Sequence, residues 1–329
     1  MKVGIAGTGK IVREFLNMQK DQERIEVTAL VCRPQSEKTG RELAEQYGIP
    51  ALYTDYETFL KEAEMDAVYL GIVNQMHAFY AEKALLAGRN VINEKPFTST
   101  VKEAEKLVRL AREKHLFLLE AITLLHFPNY HYIQEHLKDL GKITMVQANF
   151  SQYSSRYDKY LAGEVLPAFD PAASGGSLMD INIYNLHFTA GLFGMPESVH
   201  YYPRIGFNGI DTSGTAVLEY PDFHAVLSGA KDSDSPGYAI VQGEKGYIKV
   251  NGIPSQVAEL TVRINGESRT FTENRSAHRM VDEMLEFDRI LTEKDWEKAD
   301  RLLEHSLTVM KILETARKSG GIHFPADEA

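Results

Sequence analysis

The stretch Val3-Gly4-Ile5-Ala6-Gly7-Thr8-Gly9-Lys10-Ile11-Val12 decides how this chain is read. The short apolar run Val3–Ala6 suits a strand buried on both faces of a parallel sheet, and Gly7 then supplies a tight turn. Two readings of the glycines overlap. Gly4-x-x-x-x-Gly9-Lys10 approaches a phosphate loop, but Ile11 stands where a Mg²⁺-holding hydroxyl is needed, and only three residues precede Gly4. In the second frame, Gly7-x-Gly9-x-x-Val12 comes close to a dinucleotide fingerprint. Gly9 lets backbone approach a pyrophosphate, and a helix from about Lys10 points its N–H groups at that anion. The third glycine of the fingerprint is replaced by Val12, which predicts looser strand–helix packing there.

The pattern continues outward from this turn. Apolar runs at Val27–Val31, Ala67–Val73, Val91–Asn93 and Leu116–Glu120 read as further buried strands. Helical patterns lie between them: Lys10–Lys20; Glu37–Tyr47 with Gly48 and Pro50 as stops; Ala78–Ala87 ending at Gly88; and Val101–Lys114, opened by a Thr100/Glu103 capping box. Repeated β-α-β order predicts an α/β fold with a doubly wound parallel sheet. After residue 140 the texture changes to alternation in Ile143–Tyr153, Ser198–Arg204, Thr212–Tyr220, His224–Ala230 and Leu260–Ile264. Turn pairs stand at Pro221-Asp222, Asn251-Gly252 and Asn265-Gly266. This is the signature of a mostly antiparallel sheet, open on one face. His126–Leu140 reads as a connecting helix, and two helices, roughly Ser276–Leu291 and Lys298–Lys318, close the chain.

The second strand ends at Val31-Cys32-Arg33, where an acidic residue would bind the ribose 2′-hydroxyl of NAD. Arg33 stands there instead and suits a 2′-phosphate, so NADP is favoured over NAD. Glu94-Lys95-Pro96 falls at the carboxyl end of a parallel strand, where ligands bind in open α/β sheets. A lysine there can donate to a ribose and a substrate oxygen and favours a developing alkoxide. In the second half, Ser174-Gly175-Gly176-Ser177 reads as a loop that lets a ligand approach closely. Asp180, Tyr184 and His187, at i, i+4 and i+7, fall on one face of a helix. The tyrosine suits a general acid/base and the aspartate either a holder of substrate hydroxyls or a group that orients Tyr184, while His187 reads as a satisfied, semi-buried histidine.

Taken in order, Gly7–Gly9, Asn74-x-x-His77, Ala84–Gly88, Glu94-Lys95-Pro96, Glu120-Ala121 and Gly175–Tyr184 resemble the Gfo/Idh/MocA family of nicotinamide-dependent oxidoreductases across essentially the whole chain. The resemblance implies an N-terminal Rossmann domain and a C-terminal α/β domain with a large, mostly antiparallel open sheet, through which members usually associate. It implies NAD(P)-dependent hydride transfer at a secondary alcohol or carbonyl of a sugar, polyol or dihydrodiol. Tyr184 resembles the glucose–fructose oxidoreductase and dimeric dihydrodiol dehydrogenase branch, whereas inositol dehydrogenase-like members carry histidine there. The dihydrodiol dehydrogenase group tends to have arginine where Leu125 stands, so the same substrate is not implied. The expected domains are 1–120 for cofactor and 121–329 for substrate and oligomerisation, with the C-terminal helices able to pack back on the first. The candidate catalytic residues are Lys95, Tyr184 and Asp180. Candidate cofactor contacts are Gly7, Thr8, Gly9, Lys10, Ile11, Cys32, Arg33, Asn74, His77, Glu94 and Lys95.

Composition narrows the alternatives. The 329 residues carry a formal charge of −10, with no basic patch for nucleic acid. No eighteen-residue apolar run spans a membrane, and Met1-Lys2 leads straight into the first strand without room for a signal peptide. A single cysteine, Cys32, excludes an internal disulfide and a cysteine-built zinc site. His126, His131 and His136 are spaced five apart, over different faces of a helix, and no metal site is expected. The expectation is a cytoplasmic homodimer or homotetramer acting on a small molecule. Two rivals are a glycosidase or lyase using bound NAD transiently and a cofactor-binding regulator without catalysis.

Overall fold

Six strands build the first sheet: β1 (Lys2–Ala6), β2 (Glu26–Val31), β3 (Ala51–Tyr53), β4 (Ala67–Leu70), β5 (Asn90–Glu94) and β6 (Leu118–Ala121). All neighbours pair in parallel, in the order β3-β2-β1-β4-β5-β6. The crossovers are α1 (Lys10–Met18), α2 (Glu37–Tyr47), α3 (Tyr56–Glu62), α4 (His77–Leu86) and α5 (Val101–Lys114). This is the Rossmann doubly wound sheet, with its topological switch between β1 and β4. The predicted capping box is present on α5: the Thr100 hydroxyl accepts from the Glu103 N–H while the Glu103 carboxylate accepts from the Thr100 N–H. The sequence reading passed over β3 and α3. Three residues are too few to show a period, and α3 starts from an Asp55 cap rather than from an apolar stripe.

The computed structural model describes residues 1–328 and forms two compact units, Met1–Ala121 with Ser276–Ser306, and Ile122–Arg275 with the residues from Leu307 on. The second unit begins with α6 (Pro128–His136), shorter than the helix expected over His126–Leu140 because its two ends wind as 3₁₀ turns. Its sheet holds β7 (Ile143–Ser151), β8 (Ser198–Ile205), β9 (Asp211–Glu219), β10 (His224–Ala230), β11 (Tyr238–Gly243), β12 (Gly246–Asn251), β13 (Glu259–Ile264) and β14 (Glu267–Phe271). They run in the order β14-β13-β12-β11-β7-β10-β9-β8, antiparallel except for the β7–β10 pair. Between β7 and β8 come α7 (Tyr157–Leu161) and α8 (Ile183–Phe193). One face of the sheet is buried through Val146, Ala148, Leu218, Leu227, Val241 and Ile248. The other keeps Gln147, Val217, Val226 and Ile240 half-exposed. The hairpin β13–β14 turns at Asn265 and Gly266, both with positive φ, as the Asn-Gly pair predicts.

The last helices are α9 (Val281–Glu293) and α10 (Trp296–Ser319). Within the first unit, Val281, Met284, Phe287 and Ile290 of α9 join Val3, Ile5, Phe15, Leu16 and Tyr69 in one buried core. Each such side chain contributes about 1.5–3 kcal/mol by leaving water. Trp296, the single tryptophan, stacks on Phe117 with ring centroids 3.9 Å apart. Among the described residues no helix is long and apolar enough to cross a membrane.

Candidate functional site

At the switch point, Gly7 adopts φ +115° and its N–H donates to the Val31 carbonyl at 2.9 Å. A Cβ on Gly7 would collide with the Gly71 carbonyl oxygen, so glycine is required by both conformation and space. Gly9 is exposed with open space around it, and α1 begins at Lys10 without a side-chain cap or an acidic residue in its first turn. The first N–H groups of α1 are thus left for an anion, and the cradle fits the pyrophosphate of a dinucleotide. Thr8 lies in this turn and Ile11, half-buried, in the first turn of the helix. The looser packing expected at Val12 is not found. Val12 is fully buried, and a Cβ on Gly71 would come within 2.6 Å of its Cγ2. The room that the fingerprint's third glycine normally provides comes here from Gly71, at the end of β4.

At the end of β2, Cys32 and Arg33 part company. The Cys32 sulfur packs against Gly40, where a Cβ would come within 2.8 Å, and burial pushes the thiol pKa up. Arg33 is exposed and leads into the short Pro34–Ser36 turn. At the ends of β4 and β5, Asn74 opens a 3₁₀ turn and Lys95 is half-buried. Glu94 is buried. It accepts from the Tyr69 hydroxyl at 2.5 Å and from the Lys95 N–H at 3.2 Å, and burial raises its pKa. His77 is also fully buried, with Nδ1 2.8 Å from the Pro96 carbonyl and Nε2 3.3 Å from that of Ile72. Burial lowers its pKa, so the neutral ring holds one proton, which the shorter contact assigns to Nδ1. The imidazole therefore ties the β4 and β5 loops together rather than presenting itself at the surface.

In the second unit the chain winds as a π-helical turn over Leu178–Asn182 before entering α8. Such wide turns recur at functional sites. The Leu178 N–H donates to Asp211 Oδ2 at 2.6 Å, and the Tyr201 hydroxyl donates to the same oxygen at 2.7 Å. At the exit, Asn182 and Asn185 donate to the Leu227 and Ser228 carbonyls at 3.0 and 2.9 Å. Asp180 accepts from Lys231 at 2.8 Å, and Tyr184 lies beside the Phe150 ring at 5.7 Å. From Ala173 to Ala190, only Asp180 and Tyr184 reach the surface.

Two expectations are corrected here. His187, in the regular part of the helix three residues after Tyr184, is fully buried rather than semi-buried, so it does not reach the surface with Asp180 and Tyr184. Gly175 and Gly176 do not admit a ligand. A Cβ on the first would collide with the Pro167 carbonyl, and on the second with the Asp211 carboxylate, so the protein fills both places itself. The stretch Ser154–Ala173 is anchored through Tyr157, Tyr160 and Phe169, with Tyr160 stacked on Phe169 at 4.9 Å, while Arg156, Asp158 and Lys159 stay exposed. Among its polar residues, Lys159 pairs with Glu164 and Asp158 accepts from Tyr153. The sequence reading missed Lys231, Asp211 and Tyr201. Lys231 opens a Lys-Asp-Ser-Asp-Ser-Pro run that reads as a solvated turn, and only its position directly after an apolar strand hints at burial.

A doubly wound domain with a fingerprint turn, joined in sequence to an open-sheet domain, fits the class of nicotinamide-dependent oxidoreductases. Residues 1–121 match the oxidoreductase family with an NAD-binding Rossmann fold, and residues 133–249 match the GFO/IDH/MocA C-terminal domain. The chain belongs to the Gfo/Idh/MocA family. It is 35% identical, over 100% of both chains, to scyllo-inositol 2-dehydrogenase (NADP(+)) IolU of Bacillus subtilis. It is 27% identical to human trans-1,2-dihydrobenzene-1,2-diol dehydrogenase, over 100% of this chain and 99% of the other. Its fold matches that of a 3-ketoreductase from Actinomadura kijaniata, solved with NADP and TDP-benzene, with a TM-score of 0.83 at 21% identity over 97% of each chain. The protein is an NAD(P)-dependent oxidoreductase, a dehydrogenase or reductase acting on CH–OH groups.

Proposed function

We propose that this enzyme is a cytoplasmic, NADP-preferring dehydrogenase or reductase of a secondary alcohol or carbonyl on a sugar, an inositol-like polyol or a dihydrodiol. The observation that carries the site assignment is the exposure pattern of residues 173–190, in which Asp180 and Tyr184 alone reach solvent from an otherwise buried segment. When bound, the dinucleotide supplies the hydride acceptor for oxidation or the donor for reduction. Tyr184 takes the hydroxyl proton in oxidation and returns it in reduction. Lys95 favours the developing alkoxide by its charge, and Asp180 accepts hydrogen bonds from substrate hydroxyls. Gly7, Thr8, Gly9, Lys10 and Ile11 hold the pyrophosphate; Asn74 and Lys95 serve the ribose and nicotinamide side. Cys32, His77 and Glu94 support these groups from beneath rather than by side-chain contact. NADP preference rests on exposed Arg33 at the end of β2, where an acidic residue would select NAD, and the full-length kinship with an NADP-dependent inositol dehydrogenase supports both cofactor and substrate class.

The half-exposed apolar residues on the open face of the second sheet support self-association through it as a homodimer or homotetramer, checked by light scattering on eluting protein. The function is tested by titrating NADPH and NADH against Trp296 fluorescence, then running a panel of inositols, sugars and dihydrodiols. NADPH is expected to bind at least tenfold tighter, with Arg33→Ala removing most of the difference. Equal binding of both by the parent protein would sink the preference, and oxidation of no polyol in the panel would sink the substrate class.

A further inference from the structure

Lys231 is the least expected charge in the second unit. It follows β10 directly, its side chain is only 2% exposed, and a buried ammonium is costly unless it is paired. Its Nζ donates to Asp180 Oδ2 and to the Ala168 carbonyl, both at 2.8 Å, and lies 4.6 Å from the centroid of the Phe169 ring. Asp180 is 38% exposed, so the pair has one buried member and one that faces outward. The backbone around Lys231 is fixed as well: its N–H donates to the Thr212 carbonyl at 2.8 Å, and its own carbonyl accepts from Ser154 at 2.9 Å.

We propose that Lys231 is a positioning residue, which holds the Asp180 carboxylate in the orientation that receives substrate hydroxyls. Its own ammonium is too deep to touch substrate. The inference rests on the assignment of Asp180 above and adds what makes that carboxylate rigid. The π turn is anchored at its entry by Asp211 and at its exit by Asn182 and Asn185, and Lys231 supplies the third anchor, on the side chain that does the binding. A cation held by a backbone carbonyl and an aromatic face keeps its place whatever Asp180 does, so the carboxylate is aimed by its partner rather than by its own rotamer.

The test compares four full-length proteins: wild type, Lys231→Met, Asp180→Asn and the double variant. All are assayed with the best polyol found, and NADPH affinity is measured in parallel. Asp180→Asn and Lys231→Met are each expected to lower kcat/KM by about tenfold or more, chiefly through KM, with NADPH binding unchanged. The double variant is expected to be no worse than Asp180→Asn alone, because Lys231 acts only through Asp180. If the double variant falls well below Asp180→Asn, or if Lys231→Met alone turns over normally while Asp180→Asn is impaired, the inference is overturned. If Asp180→Asn itself is normal, the assignment of Asp180 fails instead, and the two failures are told apart. Should Lys231→Met not fold, the comparison of Asp180→Asn with Asp180→Asn/Lys231→Gln decides by the same criterion, since the latter leaves no buried charge unpaired.

Discussion

The turn after β1 and the π turn before α8 solve opposite problems. At Gly7–Lys10 the chain clears side chains away: no Cβ at Gly7, open space at Gly9, no side-chain cap on α1, so the backbone itself is the surface on offer. At Leu178–Asn182 the chain adds side chains, with Asp211, Lys231, Asn182 and Asn185 fixing a short irregular helix from three sides. A backbone site is defined by what is absent and a side-chain site by partners brought from far along the chain. Substitutions should therefore act differently in the two places.

The largest expected difference is on turnover. Tyr184→Phe keeps the ring beside Phe150 and removes only the hydroxyl, so kcat should fall by roughly 10²- to 10⁴-fold while the melting temperature and NADPH binding stay as they were. Steady-state kinetics with a fluorescence titration checks this, and near-normal kcat would end the contrast between a chemical and a cofactor-binding half. Next comes the fingerprint. Val12→Gly empties a filled position and loosens α1, and should lower stability by about 2–4 kcal/mol in a denaturant titration. Gly71→Ala alone should also destabilise. The two together should recover part of the loss, because Val12 and Gly71 share one space, whereas simple addition of the two losses would refute that sharing.

A pH experiment probes the π turn. Burial lifts the Asp211 carboxyl above its ordinary 3.8, so the folded protein holds that proton to higher pH than the unfolded chain does. The contribution of Asp211 to stability is then largest when it is protonated and declines as pH rises from about 4 through the raised folded value. Asp211→Asn lacks this slope. The stability advantage of wild type over the variant should narrow with rising pH in that window, and a widening gap would contradict the sign. The smallest effect is expected at Gly266, where φ is +91° but nothing crowds the missing Cβ. Gly266→Ala should cost about 1 kcal/mol, well short of Gly7→Ala, which meets both strain and collision.

These differences also explain what could be read from the sequence. The parallel sheet was legible because β1, β2, β4 and β5 are short apolar runs and because the turn after β1 calls for glycine at position 7. The edge strand β14 was not, since Glu267–Phe271 buries no residue and so shows no alternation. Strand β11 was missed for the opposite reason: Tyr238, Ile240 and Val241 put apolar groups on both faces. Around the candidate site, Asp180 and Tyr184 stood out as residue types on a helix, but a π turn leaves no mark in residue spacing. The i, i+4, i+7 pattern also groups His187 with them, although that ring lies in the core. Lys231 sits 51 positions from its partner and looks like part of a turn, and nothing local distinguishes a paired buried lysine from a solvated one.

Helix α9 completes the core of the first unit, although it is encoded after the whole of Ile122–Arg275. On a ribosome adding about 5–20 residues per second, the sheet from Lys2 to Ala121 waits roughly 8 to 30 s for Val281, Met284, Phe287 and Ile290 to be made. During that interval the nascent unit leaves uncovered the apolar surface that those four side chains later bury, a longer exposure than a contiguous domain of the same size would face.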